Sequence, residues 1–237
     1  MTIQIHRYIP DTEIEACATH LLHQYSRQQK SILTAPVPVE DIIDLGVNLP
    51  IVYEPIPDHE GTPVLAKLAV RGQPQPTVEI IVNEEKQQFF EDHKGTQQYS
   101  LAHELGHFIL HIDHGNLYTL LLPDTNEQDV VLCRKFTAAE HEQITHDERK
   151  RIAQRMEFQA ERFAAYLLMP QDLLRNACAT MDLCQWQNLY QLKDTFQVSI
   201  TALTRRLKEL HLVMVTPDKK LVPYRDPLAT QSRSLWE

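Results

Sequence analysis

The sequence lacks the features that mark secreted and membrane proteins. Its four cysteines, Cys17, Cys133, Cys178 and Cys184, form no C-x-x-C pair and match no metal-binding spacing, which predicts reduced thiols. The first 15 residues, MTIQIHRYIPDTEIE, contain no apolar core of a signal peptide. No run of about 18 apolar residues is present to cross a membrane. These absences predict a cytoplasmic protein with no membrane partner.

Basic residues are also scarce, and the charge is unevenly spread. The formal net charge is −9 at pH 7. Residues 185–237 contain 8 Lys and Arg against 5 Asp and Glu, whereas residues 1–184 contain 15 against 27. An acidic body disfavours nucleic acid and anionic membranes as general partners, because both are polyanions. With 237 residues, 43% of them hydrophobic, the chain can bury a sizeable core without disulfides.

Helical and strand-like patterns alternate along the chain and predict an α+β fold. Short Val- and Ile-rich pieces at 49–53, 63–70 and 77–82 are bounded by Pro or Gly and predict a small antiparallel sheet. The alternation over 212–224 predicts a two-stranded hairpin. Apolar residues at helical spacing predict helices at 14–25, 39–45, 98–112, 149–169, 173–179, 186–196 and 199–210.

The stretch LAHELGHFILH, residues 101–111, places two histidines four positions apart. At about 100° per residue, His103 and His107 lie on one helix face, where their imidazoles can converge on one zinc ion. Glu104 projects about 100° away, so it can stand beside the metal and accept a proton from water that the metal activates. Gly106 costs about 1 kcal/mol relative to alanine inside a helix, which predicts a close approach of another element. A chance match in a buried helix is the alternative that this motif leaves open.

A third ligand is expected from MEFQAERFAAYLLMP, residues 156–170. Glu157 and Glu161 share one face of this predicted helix, and neighbouring alanines allow another helix to approach. Catalytic zinc takes three protein ligands and leaves one position for water, so Glu157 is the predicted third ligand. Glu161 and His111 are predicted to orient the ligand histidines through their other ring nitrogens. The alternatives are that both glutamates are surface charges, or that the third ligand is His111, Asp113 or His114.

These motifs together resemble the ImmA/IrrE family of zinc metallopeptidases. The resemblance is carried by YSLAHELGHFILH at 99–111, EFQAERFAAYLLMP at 157–170, and the stretches APVPVEDIIDLGVNLP, TVEIIVNEE and DTFQVSITALTRRLKEL. It implies a gluzincin-like metallopeptidase domain over residues 1–170, with Zn²⁺ held by His103, His107 and Glu157 and with Glu104 as general base.

The resemblance also implies a substrate. Family members typically cleave a partner repressor that has a helix-turn-helix domain, and the cleavage relieves repression. The chain is therefore expected to be a zinc-dependent endopeptidase that acts on such a repressor. Two features depart from the family pattern: Glu161 stands where Asn or Asp is usual, and a charged insertion at 126–150 lengthens the gap before Glu157. The insertion is predicted to be flexible and to lead into a helix.

The C-terminal part has its own predicted organisation. Residues 171–225 are expected to form a helix-turn-helix or winged-helix-like segment, and residues 226–237 a flexible tail. Three basic residues offer few phosphate contacts, so DNA is the less favoured partner. The alternatives to the enzyme are a DNA-binding regulator and an antitoxin-like binding module, each with a non-hydrolytic zinc site. The predicted exposed basic set is Arg205, Arg206 and Lys208.

Overall fold

The computed structural model describes residues 8–59, 61–71, 77–112, 130–131 and 146–224. The chain divides into two compact units, the first made of Met1–Ile32 and Pro38–Leu167 and the second of Leu33–Val37 and Leu168–Glu237. Each unit combines helices with short strands, as the predicted α+β class requires. Among the helices of the described ranges, none is long and apolar enough to span a bilayer.

Some sequence predictions fall outside the described residues. These are the tail at 226–237, the rival ligands Asp113 and His114, and Cys133. The charged insertion is described only at residues 130–131, which form a short strand, and from residue 146, where a long helix begins. The three cysteines in the described part of the chain, Cys17, Cys178 and Cys184, are free thiols, as predicted.

The first unit begins with helix α1, Asp11–Gln29, which follows Pro10. Its buried residues recur at helical spacing, so one face of α1 packs into the core. Lys30 ends the helix in the left-handed conformation, with φ of 51°. A three-residue helix α2, Val39–Asp41, then continues into the π-helical turn Ile42–Gly46 where the sequence predicts a single short helix.

The sheet of the first unit has the strand order β1-β3-β2-β4. Strand β2 pairs antiparallel with β3 and with β4, but β1 pairs parallel with β3. The prediction of a purely antiparallel sheet is therefore wrong for β1. The strands are β1 Ile51–Glu54, β2 Ala66–Arg71, β3 Thr77–Asn83 and β4 Val130–Val131.

Three helices complete the first unit: α3 Gln87–Asp92, α4 Lys94–His111 and α5 His146–Leu168. The sequence patterns do not predict helix α3, and α4 begins four residues before its predicted start. Helix α4 packs on β2 and β3. The core contains fully buried residues from the sheet and from both long helices, among them Leu68, Ile80, Ile81, Leu101, Leu105, Phe163 and Leu167.

Asn83, at the end of β3, holds the connection between β1 and β2 in place. Its side chain is fully buried. The amide nitrogen donates to the carbonyls of Ile56 (2.9 Å) and Val64 (2.8 Å), and the amide oxygen accepts from the backbone N–H of Ile56 (3.2 Å) and Glu85 (3.1 Å). Both donors and both acceptor positions of the amide are therefore used.

Replacing Asn83 with alanine is expected to lower the free energy of unfolding by about 3 kcal/mol, because several buried backbone groups lose their partners at once. Urea denaturation measures this loss. The control is Thr77→Ala on the same strand, which removes a single exposed hydrogen bond to the Arg71 carbonyl. Equal effects of the two substitutions would mean that the Asn83 bonds contribute little.

In the second unit, the residues that the structure describes form three helices and a hairpin. Gln197, with φ of 51°, turns the chain after α7, and the Ser199 hydroxyl accepts a hydrogen bond from the Ala202 N–H at 3.1 Å, as its predicted capping role requires. Buried leucines from all three helices form its core. The elements are α6 Gln171–Cys178, α7 Trp186–Phe196, α8 Ile200–Glu209, β5 Val213–Val215 and β6 Leu221–Pro223.

The predicted exposed basic set is only partly exposed. Arg205 and Lys208 lie on the surface of α8, and Arg205 pairs with Glu209 at 3.4 Å. Arg206 is 3% exposed, and its Nε donates to the Met169 carbonyl at 3.2 Å. The prediction that Arg206 is exposed is therefore wrong, and this side chain stabilises the second unit from within.

Candidate metal centre

Three side chains from two helices meet in the first unit. His103 and His107 come from α4, and Glu157 comes from α5. The Nε2 atoms of the two histidines are 3.1 Å apart. Glu157 Oε2 lies 3.2 Å from His103 Nε2, and Glu157 Oε1 lies 3.7 Å from His107 Nε2. The structure thus brings together the three residues that the sequence predicts as ligands.

This donor set suits a zinc ion. Ligands at about 2.0–2.1 Å from a tetrahedral ion are about 3.3 Å from one another, and the three separations here, 3.1, 3.2 and 3.7 Å, scatter around that value. Two imidazoles and one carboxylate also form a known catalytic zinc set that leaves a fourth position open. Among the described residues, the three ligand atoms all lie within 4.8 Å of one another.

The close approach of α4 and α5 depends on Gly106. A Cβ atom added at Gly106 would lie 3.2 Å from the Ala160 Cα, 3.2 Å from the Ala160 carbonyl oxygen and 3.2 Å from the Phe163 Cβ. Two of these neighbours are backbone atoms, which cannot rotate away. The prediction that Gly106 marks a close approach of another element is therefore confirmed. Ala160 of α5 is the residue that packs against it.

Replacing Gly106 with alanine is expected to destabilise the protein by about 1 kcal/mol or more, because the crowding outweighs the gain in helix propensity. Zinc affinity should fall as well, since α5 carries Glu157. Thermal unfolding and zinc titration measure the two effects. In the control Gly46→Ala, the nearest atom to the new Cβ is 3.6 Å away, so the change should be neutral or stabilising. A stabilised Gly106→Ala protein would contradict the close contact.

The electrostatics of the centre favour a charged Glu157. Burial raises the pKa of Glu157, but the hydrogen bond to His103 and the electrostatic attraction of the two nearby imidazoles, His103 and His107, outweigh burial and hold that pKa well below its usual range. Burial lowers the pKa of His103, and the hydrogen bond to Glu157 together with nearby carboxylates raises it by more. Glu157 is therefore ionised near neutral pH, as a metal ligand must be.

His107 is supported by two further side chains. Its Nδ1 lies 3.0 Å from His111 Nδ1, and His111 Nε2 lies 3.1 Å from Gln159 Oε1. Burial lowers the pKa of His111 to about 4, so this ring is neutral near pH 7. His111 thus occupies the supporting position that the sequence predicts. The sequence does not predict this contact of Gln159, because a single glutamine two residues after Glu157 belongs to no recognisable ligand or hydrogen-bonding pattern.

Glu161 does not make the contact predicted for it. The other ring nitrogen of His103, Nδ1, is buried and has no hydrogen-bond partner in the described part of the chain. Glu161 is exposed and lies in the wall of the cleft beside His103. Its charge raises the pKa of His103 from there. The expected hydrogen bond between Glu161 and a ligand histidine is therefore absent.

Glu104 is buried beside the ligands and is held by the sheet. Its carboxylate accepts a hydrogen bond from the backbone of Leu68 in β2. The Asn83 N–H donates to the Leu65 carbonyl, so Leu65 and every second residue after it direct their backbone N–H and C=O groups towards β3. Leu68 lies between two such residues, and its N–H therefore points away from β3, to the opposite edge of β2. Burial raises the pKa of Glu104, and the two histidines partly offset this effect. A raised pKa suits a general base that works near neutral pH.

An open cleft of about 760 Å³ is lined by His103, Glu104 and Glu161 of the centre. Its wall includes Tyr99, whose ring centroid is 6.1 Å from that of His103. Tyr166, a tyrosine of α5, is buried and bonded to Arg162, which also pairs with Asp11 at 2.9 Å. The remaining wall comes from the connection before β2, from β2 and from α4: His59, Thr62, Pro63, Val64, Leu65, Ala66, Thr96 and Ser100.

One protein-family model matches part of the chain. The family model described as the IrrE N-terminal-like domain, Peptidase_M78, matches residues 138–208. That range contains Glu157 but not the two histidines. A solved structure described as a Mycobacterium tuberculosis transcriptional regulator is similar at 14% identity and a TM-score of 0.43, over 90% of this chain and 55% of that chain. This chain therefore spans 55% of that protein's length. No curated protein matches the chain.

Proposed function

We propose, on the premise that the chain belongs to the ImmA/IrrE family, that it is a zinc-dependent endopeptidase of the cytoplasm. Its substrate is a partner protein, a helix-turn-helix transcriptional repressor, and cleavage relieves repression. One observation carries the proposal: the ligand atoms of His103, His107 and Glu157 converge within 4.8 Å, and Glu104 stands beside them at the cleft. In fold terms, the first unit is a gluzincin-like metallopeptidase domain and the second a winged-helix-like segment.

His103, His107 and Glu157 hold the metal, and Glu104 moves protons. When bound, zinc supplies Lewis acidity to the scissile carbonyl and acidifies water. Glu104 accepts the proton of the water that attacks the carbonyl carbon and delivers it to the amine nitrogen as the C–N bond breaks. The Leu68 amide fixes one carboxylate oxygen, so the proton-accepting group is held in one orientation before the substrate arrives.

The cleft favours an extended polypeptide as substrate. Within the described residues, β4 pairs with β2 only at Ala69 and Val70. The peptide group of Ala66 points to the same side of β2 as that of Leu68, away from β3. A substrate segment can therefore add to this edge and pass over Glu104, since exposed strand edges bind extended chains through backbone hydrogen bonds.

A DNA-binding function is less favoured than proteolysis. Arg206, one of three basic residues expected to contact DNA, is buried and bonded to Met169. Arg205 is engaged by Glu209 on the same helix. The exposed basic surface of α8 is thus too small for the phosphate contacts that non-specific binding needs. A protein-binding role of this unit, such as recognition of the repressor, requires no such surface.

The direct test uses the 237-residue chain and a helix-turn-helix repressor from the same cell, and a repressor encoded by an adjacent gene is tried first where there is one. Zinc-loaded protein is incubated with this repressor, and mass spectrometry identifies the products. We expect two fragments from one cut, none after zinc is removed by a chelator, and recovery on adding zinc back. A stable stoichiometric complex without fragments would overturn the proposal in favour of an antitoxin-like binding module.

A further inference from the structure

A chain of hydrogen bonds runs from the interior of the first unit to the candidate ligand His107. Gln159 Oε1 lies 3.1 Å from His111 Nε2, and His111 Nδ1 lies 3.0 Å from His107 Nδ1. Gln159 is 2% exposed and His107 is 1% exposed, so both ends of this chain are shielded from water, and His111 between them is half-buried. The amide nitrogen of Gln159 is buried and has no partner among the described residues. Within the described residues, the Gln159 amide therefore makes its hydrogen bond through its oxygen, to His111.

The chemistry of the acceptor decides where each proton sits. A carbonyl oxygen can only accept, so His111 must carry its proton on Nε2 to bond with Gln159 Oε1. A neutral His111 then has an unprotonated Nδ1, which accepts a hydrogen bond from the N–H at His107 Nδ1. His107 in turn has no proton on Nε2, the atom that faces His103 and Glu157. The opposite orientation of the Gln159 amide would reverse every step and place a proton on His107 Nε2.

The helix geometry explains why Gln159 reaches this position. Each step of four residues advances about 40° around a helix, so the stripe of His103, His107 and His111 drifts across the face of α4. Ala160 lies at the contact with Gly106. Glu157 and Gln159 lie on opposite sides of that contact on α5. Glu157 contacts His103, at one end of the row of histidines, and Gln159 contacts His111, at the other end.

We propose that Gln159 is a positioning residue: its carbonyl oxygen fixes the tautomer of His111, and through it the tautomer of His107 whose Nε2 is ready to bind a metal. Metal-bound histidines usually donate their other ring N–H to a carboxylate or a carbonyl, which raises affinity by roughly 10–100-fold. In this protein His111 takes the place of the carboxylate or carbonyl, and a histidine ring nitrogen can either accept or donate a hydrogen bond. A hydrogen-bond partner on the far ring nitrogen of His111 can therefore decide which way the bond to His107 runs. The proposal rests on the proposed metal site but not on hydrolysis.

The first test is a double-mutant cycle on zinc affinity in the full-length chain, measured by competition with a chromophoric chelator. Gln159→Leu and His111→Phe should each weaken zinc binding by about 10–100-fold. The double variant should be no weaker than His111→Phe alone, because Gln159 acts only through His111. Losses that add would overturn the proposal and indicate a merely structural role. The control Gln154→Leu makes the same change at an exposed position of α5 and should bind zinc normally.

The second test reads the tautomers directly and does not depend on a variant that folds. Long-range ¹H–¹⁵N correlation spectra of the wild-type chain, with and without zinc, should show His107 protonated on Nδ1 and His111 on Nε2. His107 protonated on Nε2 in the zinc-free protein would overturn the proposal. If the tautomers are as expected but the repressor remains uncut, the proposed function fails and the role of Gln159 stands.

Discussion

Replacing His103 with alanine is expected to remove the metal from the protein. The side chain supplies one of three converging ligand atoms, and its Nε2 lies 3.1 Å from His107 Nε2 and 3.2 Å from Glu157 Oε2. The remaining imidazole and carboxylate leave too few protein ligands for tight binding. The loss should exceed the roughly 10–100-fold that removing a supporting contact costs. After dialysis against metal-free buffer, elemental analysis should find about one zinc per wild-type chain and almost none in the variant.

The matched control for this experiment is His20→Ala. His20 is an exposed histidine on α1, so its removal deletes an imidazole without touching the centre. It should leave the zinc content unchanged, and circular dichroism should show that both variants remain folded. Full zinc content in a folded His103→Ala protein would mean that the metal, if any, binds elsewhere, and the ligand assignment would be wrong.

The candidate metal centre is predictable from the sequence in part, because some of its residues share a helix face and others do not. The two histidines and Glu104 follow from the period of one helix, because residues four apart share a face. Glu157 requires a second helix to approach, and the chain signals this approach through Gly106 and Ala160, which have no side chain large enough to hold the backbones apart. A spacing of 50 residues between His107 and Glu157 carries no such information by itself.

The supporting side chains are less predictable. Gln159 lies two residues from Glu157, on the other flank of the α4 contact, so no shared face connects the two. Glu161 shares a face with Glu157 but is exposed in the cleft wall. A side chain that binds through a second residue depends on distances of a few tenths of an ångström, and residue spacing does not determine such distances.

The errors in the fold also have physical causes. Strand β1 pairs parallel with β3, and the alternation of a short strand is the same whether its partner runs parallel or antiparallel. The positive charge of Arg206 predicts an exposed side chain, but the residue is 3% exposed. It lies three residues after Leu203 and four before Leu210, on the buried face of α8, where its guanidinium finds the Met169 carbonyl. The helical spacing of the buried leucines in α8 predicts the burial of Arg206 better than its charge does.

Replacing Glu104 with glutamine is expected to keep the metal and remove hydrolysis. Glutamine has the same shape, and its amide oxygen can still accept the hydrogen bond from Leu68, so the side chain stays in place. It cannot take up a proton at neutral pH, and a general base contributes about 10²–10⁴-fold to the rate. Cleavage of the repressor should therefore slow by about 10³-fold or more, while elemental analysis finds the wild-type zinc content.

Glu161→Gln provides the matched comparison, because Glu161 lies in the wall of the same cleft and undergoes the same chemical change. The ring nitrogen of His103 that Glu161 was expected to bind has no partner in the described part of the chain, so we expect a loss below about tenfold. If Glu161→Gln stops cleavage and Glu104→Gln does not, the base is Glu161. A protein that loses cleavage but keeps zinc separates the proton-transfer role of Glu104 from the ligand role of His103, since the His103→Ala protein should lose both.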